Sequence, residues 1–212
     1  MRGKIAGIGN QPVVTAIRGG QPITFAAPLD SIAPDATHEW LIAQLLKSLN
    51  EDFADLHPVA VGHRVVHGGQ KFSGPALVTA ESRAAMGALT PLAPLHQPMN
   101  LAAIDAIASS NPNMPQVACF DTSFHRTQPR LAQMFAIPRA LTEEGIIRYG
   151  FHGLSYDYIA AQLPDLLGKH ADGRVIVAHL GNGASMCALR NRRSIATTMG
   201  FTALDGLVMG RR

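Results

Sequence analysis

A few short stretches carry residue types that could do chemistry. In Val61-Gly62-His63-Arg64-Val65-Val66-His67-Gly68-Gly69, strand alternation puts Arg64 and Val66 on one face, with His63, Val65 and His67 on the other. An arginine fork beside a small apolar side chain suits a short carboxylic acid: one grips the anion, the other walls its tail. An arginine paired with an internal aspartate would look the same. Asp121 closes an apolar run in Phe120-Asp121-Thr122-Ser123-Phe124-His125. A carboxylate there can face a ligand crevice at a strand's carboxyl end, or cap a turn or helix. In Gly150-Phe151-His152-Gly153 two glycines bracket an aromatic and a histidine, which lets backbone approach a ligand or kink sharply. His152 reads equally as a satisfied turn residue. Gly181-Asn182-Gly183 reads first as a plain hairpin turn, and second as a nest of N–H groups for a phosphate.

Familiar sites of other chemistries are absent. There is no G-x-x-x-x-G-K-[ST] loop, no H-E-x-x-H, no C-x-x-C and no G-x-S-x-G. The G-x-G at Gly7 and Gly9 runs into Asn10-Gln11-Pro12, which breaks a dinucleotide fingerprint. Apolar residues make up 47% of the 212 and charged residues 16%, so disorder is excluded and a core can be buried. No run of 18 uncharged apolar residues occurs, which argues against a membrane-spanning helix, and no secretory signal is expected at Met1-Arg2-Gly3-Lys4. Cys119 and Cys187 lack metal-type spacing and read as buried free thiols in a reducing cytoplasm. The net charge of +3 rests on 14 Arg and 4 Lys. The one dense basic run, Arg190-Asn191-Arg192-Arg193, has no interleaved aromatics, so it reads as a charged turn rather than a nucleic-acid surface.

The elements that must position these residues alternate between strand and helix. Val13 to Ile17 and Ile23 to Phe25 flank Gly19-Gly20 as a hairpin. Leu41, Ile42, Leu45, Leu46 and Leu49 recur at helical spacing behind Thr37 as N-cap. Strands are expected over 59–66, 116–120, 174–180, 184–189 and 194–198, and helices over 81–89, 101–108 and after Ser155. The order indicates an α/β architecture, with a domain change between 121 and 150.

Taken together and in order, the segments resemble the acetate kinase family. They are Val61 to Gly69, Pro91 to Pro98, Phe120 to His125, Tyr149 to Ser155, His179 to Ser185, Thr197 to Thr202 and Asp205 to Gly210. The resemblance runs from about residue 55 to 212 and places the chain in the acetate and sugar kinase, heat-shock and actin superfamily. It implies two related ribonuclease H-like domains, here 1–124 as most of the first, acetate-binding domain and 125–212 as the start of the second, ATP-binding one. It implies phosphoryl transfer between ATP and acetate, Mg²⁺ with the phosphates, a homodimer, a cytoplasmic location, and no nucleic-acid or membrane partner.

Residue by residue, Arg64 matches the carboxylate-binding arginine. Val66, Leu95 and Phe151 match walls of the methyl pocket, and His96 a nearby histidine. Asp121 matches the catalytic acid residue, His152 the histidine set against the transferring phosphoryl group, and Arg212 the second phosphoryl-stabilising arginine. His179, Leu180, Gly181, Asn182 and Gly183 match the ATP phosphate loop. No metal ligand is assigned. A carboxylate acceptor is already ionised at neutral pH, so Asp121 is expected to orient Mg²⁺ or a catalytic arginine rather than take a proton.

There are departures too. Members of the family are about twice this length; the opening strand with its Asn and serines has no counterpart before Gly7; Arg211 stands where Thr is usual, and Ala203 where some members place Pro. The chain reads as an inactive fragment of an acetate kinase. The alternatives are a propionate or butyrate kinase of the same superfamily, or a non-enzymatic truncated product.

Overall fold

The computed structural model describes residues 1–25, 29–53, 55 and 57–209, apart from the side chains of Asn50 and Asp52. Arg211 and Arg212, the latter a proposed catalytic residue, lie outside the described residues.

In chain order the elements are β1 (Arg2–Ala6), β2 (Val13–Arg18), β3 (Gln21–Ile23), α1 (His38–Asp52), β4 (Val61–Val65), β5 (Ala76–Leu77), α2 (Ala80–Gly87), α3 (Gln97–Ser110), β6 (Gln116–Phe120), α4 (Arg130–Gln133), α5 (Arg139–Glu143), α6 (Gly153–Leu167), β7 (Arg174–Leu180), β8 (Ala184–Arg190) and β9 (Arg193–Thr197). A 3₁₀ turn at Ser123–Thr127 follows β6. The expected hairpin forms because Gly19 and Gly20 both take positive φ, 57° and 83°, as a type I′ turn requires. Thr37 caps α1, its hydroxyl accepting from the Trp40 N–H at 3.2 Å. α3 starts four residues ahead of the expected Leu101, since Pro98 in a first turn lacks only an N–H that would have no intrahelical partner. β1 was not expected; it pairs antiparallel with β2, Ile5 opposite Val14.

The chain divides into two compact units: residues 1–61 with 101–116, and residues 62–100 with 117 onward. The sequence boundary at 124/125 is not among these division points. In the first unit, Ala16, Phe25 and Leu29 form a small core with Leu45 and Phe53 against the β1-β2-β3 sheet.

The second unit holds every described residue proposed for chemistry. Its β4, β6 and β5 form one sheet in that order, and β7, β8 and β9 another, a continuous antiparallel meander. Tyr156, Ala160 and Leu163 recur on one face of α6 and pack with Cys187 and Leu189 of β8. Each large apolar side chain so buried contributes roughly 1.5–3 kcal/mol. Burial pushes the Cys187 thiol up to about 11, an inert sulfhydryl, and both cysteines are free. The basic run forms the β8–β9 turn, with Asn191 and Arg192 at φ 51° and 59° and Arg192 Nε 2.8 Å from Asp172 Oδ1. Among the described residues, no helix is long and apolar enough to cross a membrane.

Candidate active site

β4 and β6 end side by side, the Asp121 N–H donating to the Val65 carbonyl at 3.0 Å. That register brings Arg64 and Asp121 together. Arg64 Nε lies 3.0 and 3.1 Å from the two Asp121 oxygens, and Nη2 lies 2.6 Å from Oδ2. The Asp121 side chain is 3% exposed and that of Arg64 68%, so the carboxylate is fixed in the protein while the fork faces outward. The hydrogen bond to Asp121 raises the guanidinium pKa further, so Arg64 is a permanent cation. Arg64 thus has the internal aspartate partner that one sequence reading expected, and it also lines an open cavity.

That cavity, about 420 Å³, is lined by Arg64, Val66, Leu95, His96, Asp121, Phe151, His152 and Gly183, all singled out in the sequence. Strand alternation correctly put Val66 beside Arg64. Leu92 to Pro94, Met199 and Thr202 to Leu204 complete the lining. Phe151 is buried, whereas Leu95 is 79% exposed, a rim rather than a floor.

His152 reaches the cavity through an unusual backbone. It is a non-glycine residue at φ 60°, N-terminal to α6, and such left-handed residues cost about 1–3 kcal/mol. Gly153 is required beside it. Its N–H donates to the Asp121 carbonyl at 2.7 Å, and a Cβ there would sit 2.2 Å from the same oxygen. The His152 ring stacks on His179, centroids 4.0 Å apart, and its Nδ1 lies 2.8 Å from Ser185 Oγ, which also bonds the Tyr156 hydroxyl. Burial first, and the neighbouring His179 second, push His152 down to about 4, so it is neutral at pH 7. His179 Nδ1 in turn lies 3.0 Å from Ser155 Oγ.

The β7–β8 turn closes by the Gly181 N–H donating to the Gly183 carbonyl at 3.0 Å, a hairpin as the spacing favours. A Cβ on Gly183 would lie 2.9 Å from His152 Nε2, so the turn abuts that ring. Gly181 and Asn182 are exposed at the tip, and Leu180, 73% exposed, is not part of the cavity lining. Sequence reasoning did not assign Ser185 and Tyr156. The signals were there: Tyr156 follows His152 by one helical turn, and Ser185 shares the inward face of β8 with Cys187.

Among the described residues, no group of three or more His, Cys, Asp or Glu could hold a metal ion, and both Asp121 oxygens already face Arg64. The described residues thus do not form a cage for Mg²⁺.

Two wholly buried histidines give the unit a pH signature. Burial pushes His67 and His125 each down to about 4. The unfolded chain protonates both from about pH 6.5 downward, while the native state does not until about pH 4. Stability is therefore full above pH 6.5 and falls by about 1.4 kcal/mol per pH unit per histidine on the way down. Urea unfolding at pH 7 and pH 5 should show this loss, and His67→Gln should flatten the slope.

The site is thus an outward arginine fork seated on a buried carboxylate, at a largely apolar cavity shared with a neutral histidine, on an α/β scaffold. Residues 28–212 match the acetokinase family, and the chain belongs to that family. It is 52% identical to an acetate kinase of Rhodopseudomonas palustris over 212 residues, 99% of this chain and 52% of the relative. It is 50% identical over 155 residues to one of Deinococcus radiodurans, covering 72% of this chain and 39% of that protein. Among solved structures it resembles a propionate kinase from Francisella tularensis, with TM-score 0.87 and 38% identity, covering 98% of this chain and 53% of that one. The Porphyromonas gingivalis acetate kinase gives TM-score 0.81 and 34% identity over 99% of this chain and 53% of that chain. The α/β, actin-like ATPase fold class holds. The chain spans about half the length of the curated relatives it matches.

Proposed function

We propose that this chain supplies the acceptor side of an ATP-dependent acetate kinase, which moves the terminal phosphoryl group of ATP to acetate and yields acetyl phosphate and ADP. The observation that carries this is the Arg64 fork, seated on Asp121, opening onto a cavity walled by Val66 and Phe151. Arg64 grips the acceptor carboxylate, and the apolar walls take its methyl group. Asp121 orients the arginine; its contacts support that branch of the sequence expectation.

His152 is the donor aimed at the phosphoryl oxygens. In the neutral ring, Tyr156 O–H donates to Ser185, Ser185 O–H donates to Nδ1, and Nε2–H is left for a phosphoryl oxygen. Burial raises the Tyr156 pKa and keeps that relay's first proton in place. Such transfer depends on positioning and charge stabilisation, since the transition state spreads charge over three equatorial oxygens. The family resemblance assigns His179 and the 181–183 turn to the donor phosphates and Arg212 to the transferring phosphoryl group. It also implies Mg²⁺ with the nucleotide, where it would offset phosphate charge; none of the described residues is assigned to hold it. The family resemblance further supports a homodimer in the cytoplasm, and a first domain over 1–124 followed by the start of a second.

The test is a chimaera in which these residues replace the matching half of the Rhodopseudomonas palustris relative. Arg64→Ala should lower kcat/KM for acetate roughly tenfold or more, and Asp121→Asn by a similar factor, by loosening a charge-assisted pair. The acid limb of the pH–rate profile should survive in Asp121→Asn, and partial rescue by extra Mg²⁺ would move Asp121 from the arginine to the metal. Unchanged kinetics in Arg64→Ala would sink the assignment. The solved propionate kinase and the short Ala203 in the lining favour testing propionate and butyrate beside acetate, since one methylene is worth only about 1–3 kcal/mol.

A further inference from the structure

We infer that His125 is a positioning residue that locks the His152 ring in place through the Phe151 carbonyl. The inference rests on the proposed role of His152 and adds a residue that touches neither substrate. His125 is 1% exposed, on the 3₁₀ turn Ser123–Thr127. Its Nε2 lies 2.9 Å from the Phe151 carbonyl oxygen, and its Nδ1 2.9 Å from Ser194 Oγ. A carbonyl only accepts, so Nε2 carries the proton and the neutral ring's Nδ1 must accept from the Ser194 hydroxyl. Ser194 Oγ also takes the Gln128 Nε2 donor at 3.0 Å and the Cys187 thiol at 3.3 Å, so its single proton goes to His125.

The peptide held by this bond lies between two left-handed residues, Gly150 at φ 71° and His152 at φ 60°. The His125 ring also lies against Gly150: a Cβ there would come 2.6 Å from His125 Cδ2. On the other side of His152 the Gly153 N–H is tied to the Asp121 carbonyl. One segment, 121–125, thus pins both flanks of a strained residue while its first member holds Arg64. Without the His125 donor, the Phe151 carbonyl loses its partner and the turn can relax out of the left-handed region.

His152 itself reports on this, because its low pKa depends on its present seat. The groups facing it are His179 from β7, Asp121 beyond β6, Arg64 from β4, Ser185 from β8 and Tyr156 from α6. The experiment is an NMR titration of the histidine ring protons in the 212-residue chain, with nitrogen shifts to read tautomers. In the unaltered chain His125 should be the Nε2–H tautomer; the Nδ1–H tautomer would overturn the inference without any variant. His125→Phe keeps the ring and loses both bonds; His152 should then titrate at least one pH unit above about 4. His125→Gln restores a donor near Nε2 and should bring it back down. An unchanged His152 midpoint in folded His125→Phe would refute the lock, and if that variant does not fold the tautomer alone decides. None of these readouts involves turnover, so failure of the lock and failure of the proposed reaction are told apart.

Discussion

The 212 residues assayed by themselves are expected to form acetyl phosphate at least four orders of magnitude more slowly than the chimaera with the Rhodopseudomonas palustris relative. The chain spans about half the length of such relatives, and in-line phosphoryl transfer needs both charged reactants held together in a water-excluded cleft. Orientation of that kind is worth roughly 7–11 kcal/mol, and each ~1.4 kcal/mol is tenfold in rate. The Arg64 fork and the neutral His152 can still meet anions, so carboxylate binding should survive where turnover does not. A hydroxamate assay on both proteins, with ATP, Mg²⁺ and acetate, reads the ratio. Turnover by the chain within tenfold of the chimaera would mean that the rest of the relatives' length is dispensable.

His152→Ala in the chimaera should lower kcat by about a hundred- to a thousandfold, the usual cost of removing one preorganised donor from developing charge. The KM for acetate should change much less, because Arg64 and the apolar walls remain. His152→Gln, which can present an amide N–H near the position of Nε2, should recover part of the loss. Ser185→Ala tests the relay separately: without its hydroxyl the tautomer is no longer fixed, and the loss should be smaller than for His152→Ala. A His152→Ala enzyme with unaltered kcat would remove the ring from the reaction.

Much of the scaffold was legible in the sequence, for local reasons. Gly19-Gly20 dictates a hairpin, leucines at helical spacing behind Thr37 dictate α1, and Gly181-Asn182-Gly183 joins two strands in register. Alternation also put Arg64 and Val66 on one face. What escaped depends on distant partners. β1 contains Arg2, Gly3 and Lys4 and has no strand pattern of its own; it exists because β2 offers an edge. That Arg64 both faces a cavity and rests on Asp121 needed the β4–β6 register, which joins residues 57 positions apart. The left-handed backbone of His152 could not be read from its neighbours, since the glycines beside it fit several turns.

The most direct test of the central claim follows both products of the chimaera at once. With ATP, Mg²⁺ and acetate, hydroxylamine trapping and coupled ADP detection should report acyl phosphate and ADP in equal amounts, and Arg64→Ala should lower both together. Folded chimaera that makes no acyl phosphate from acetate, propionate or butyrate, or that hydrolyses ATP without one, would contradict the account.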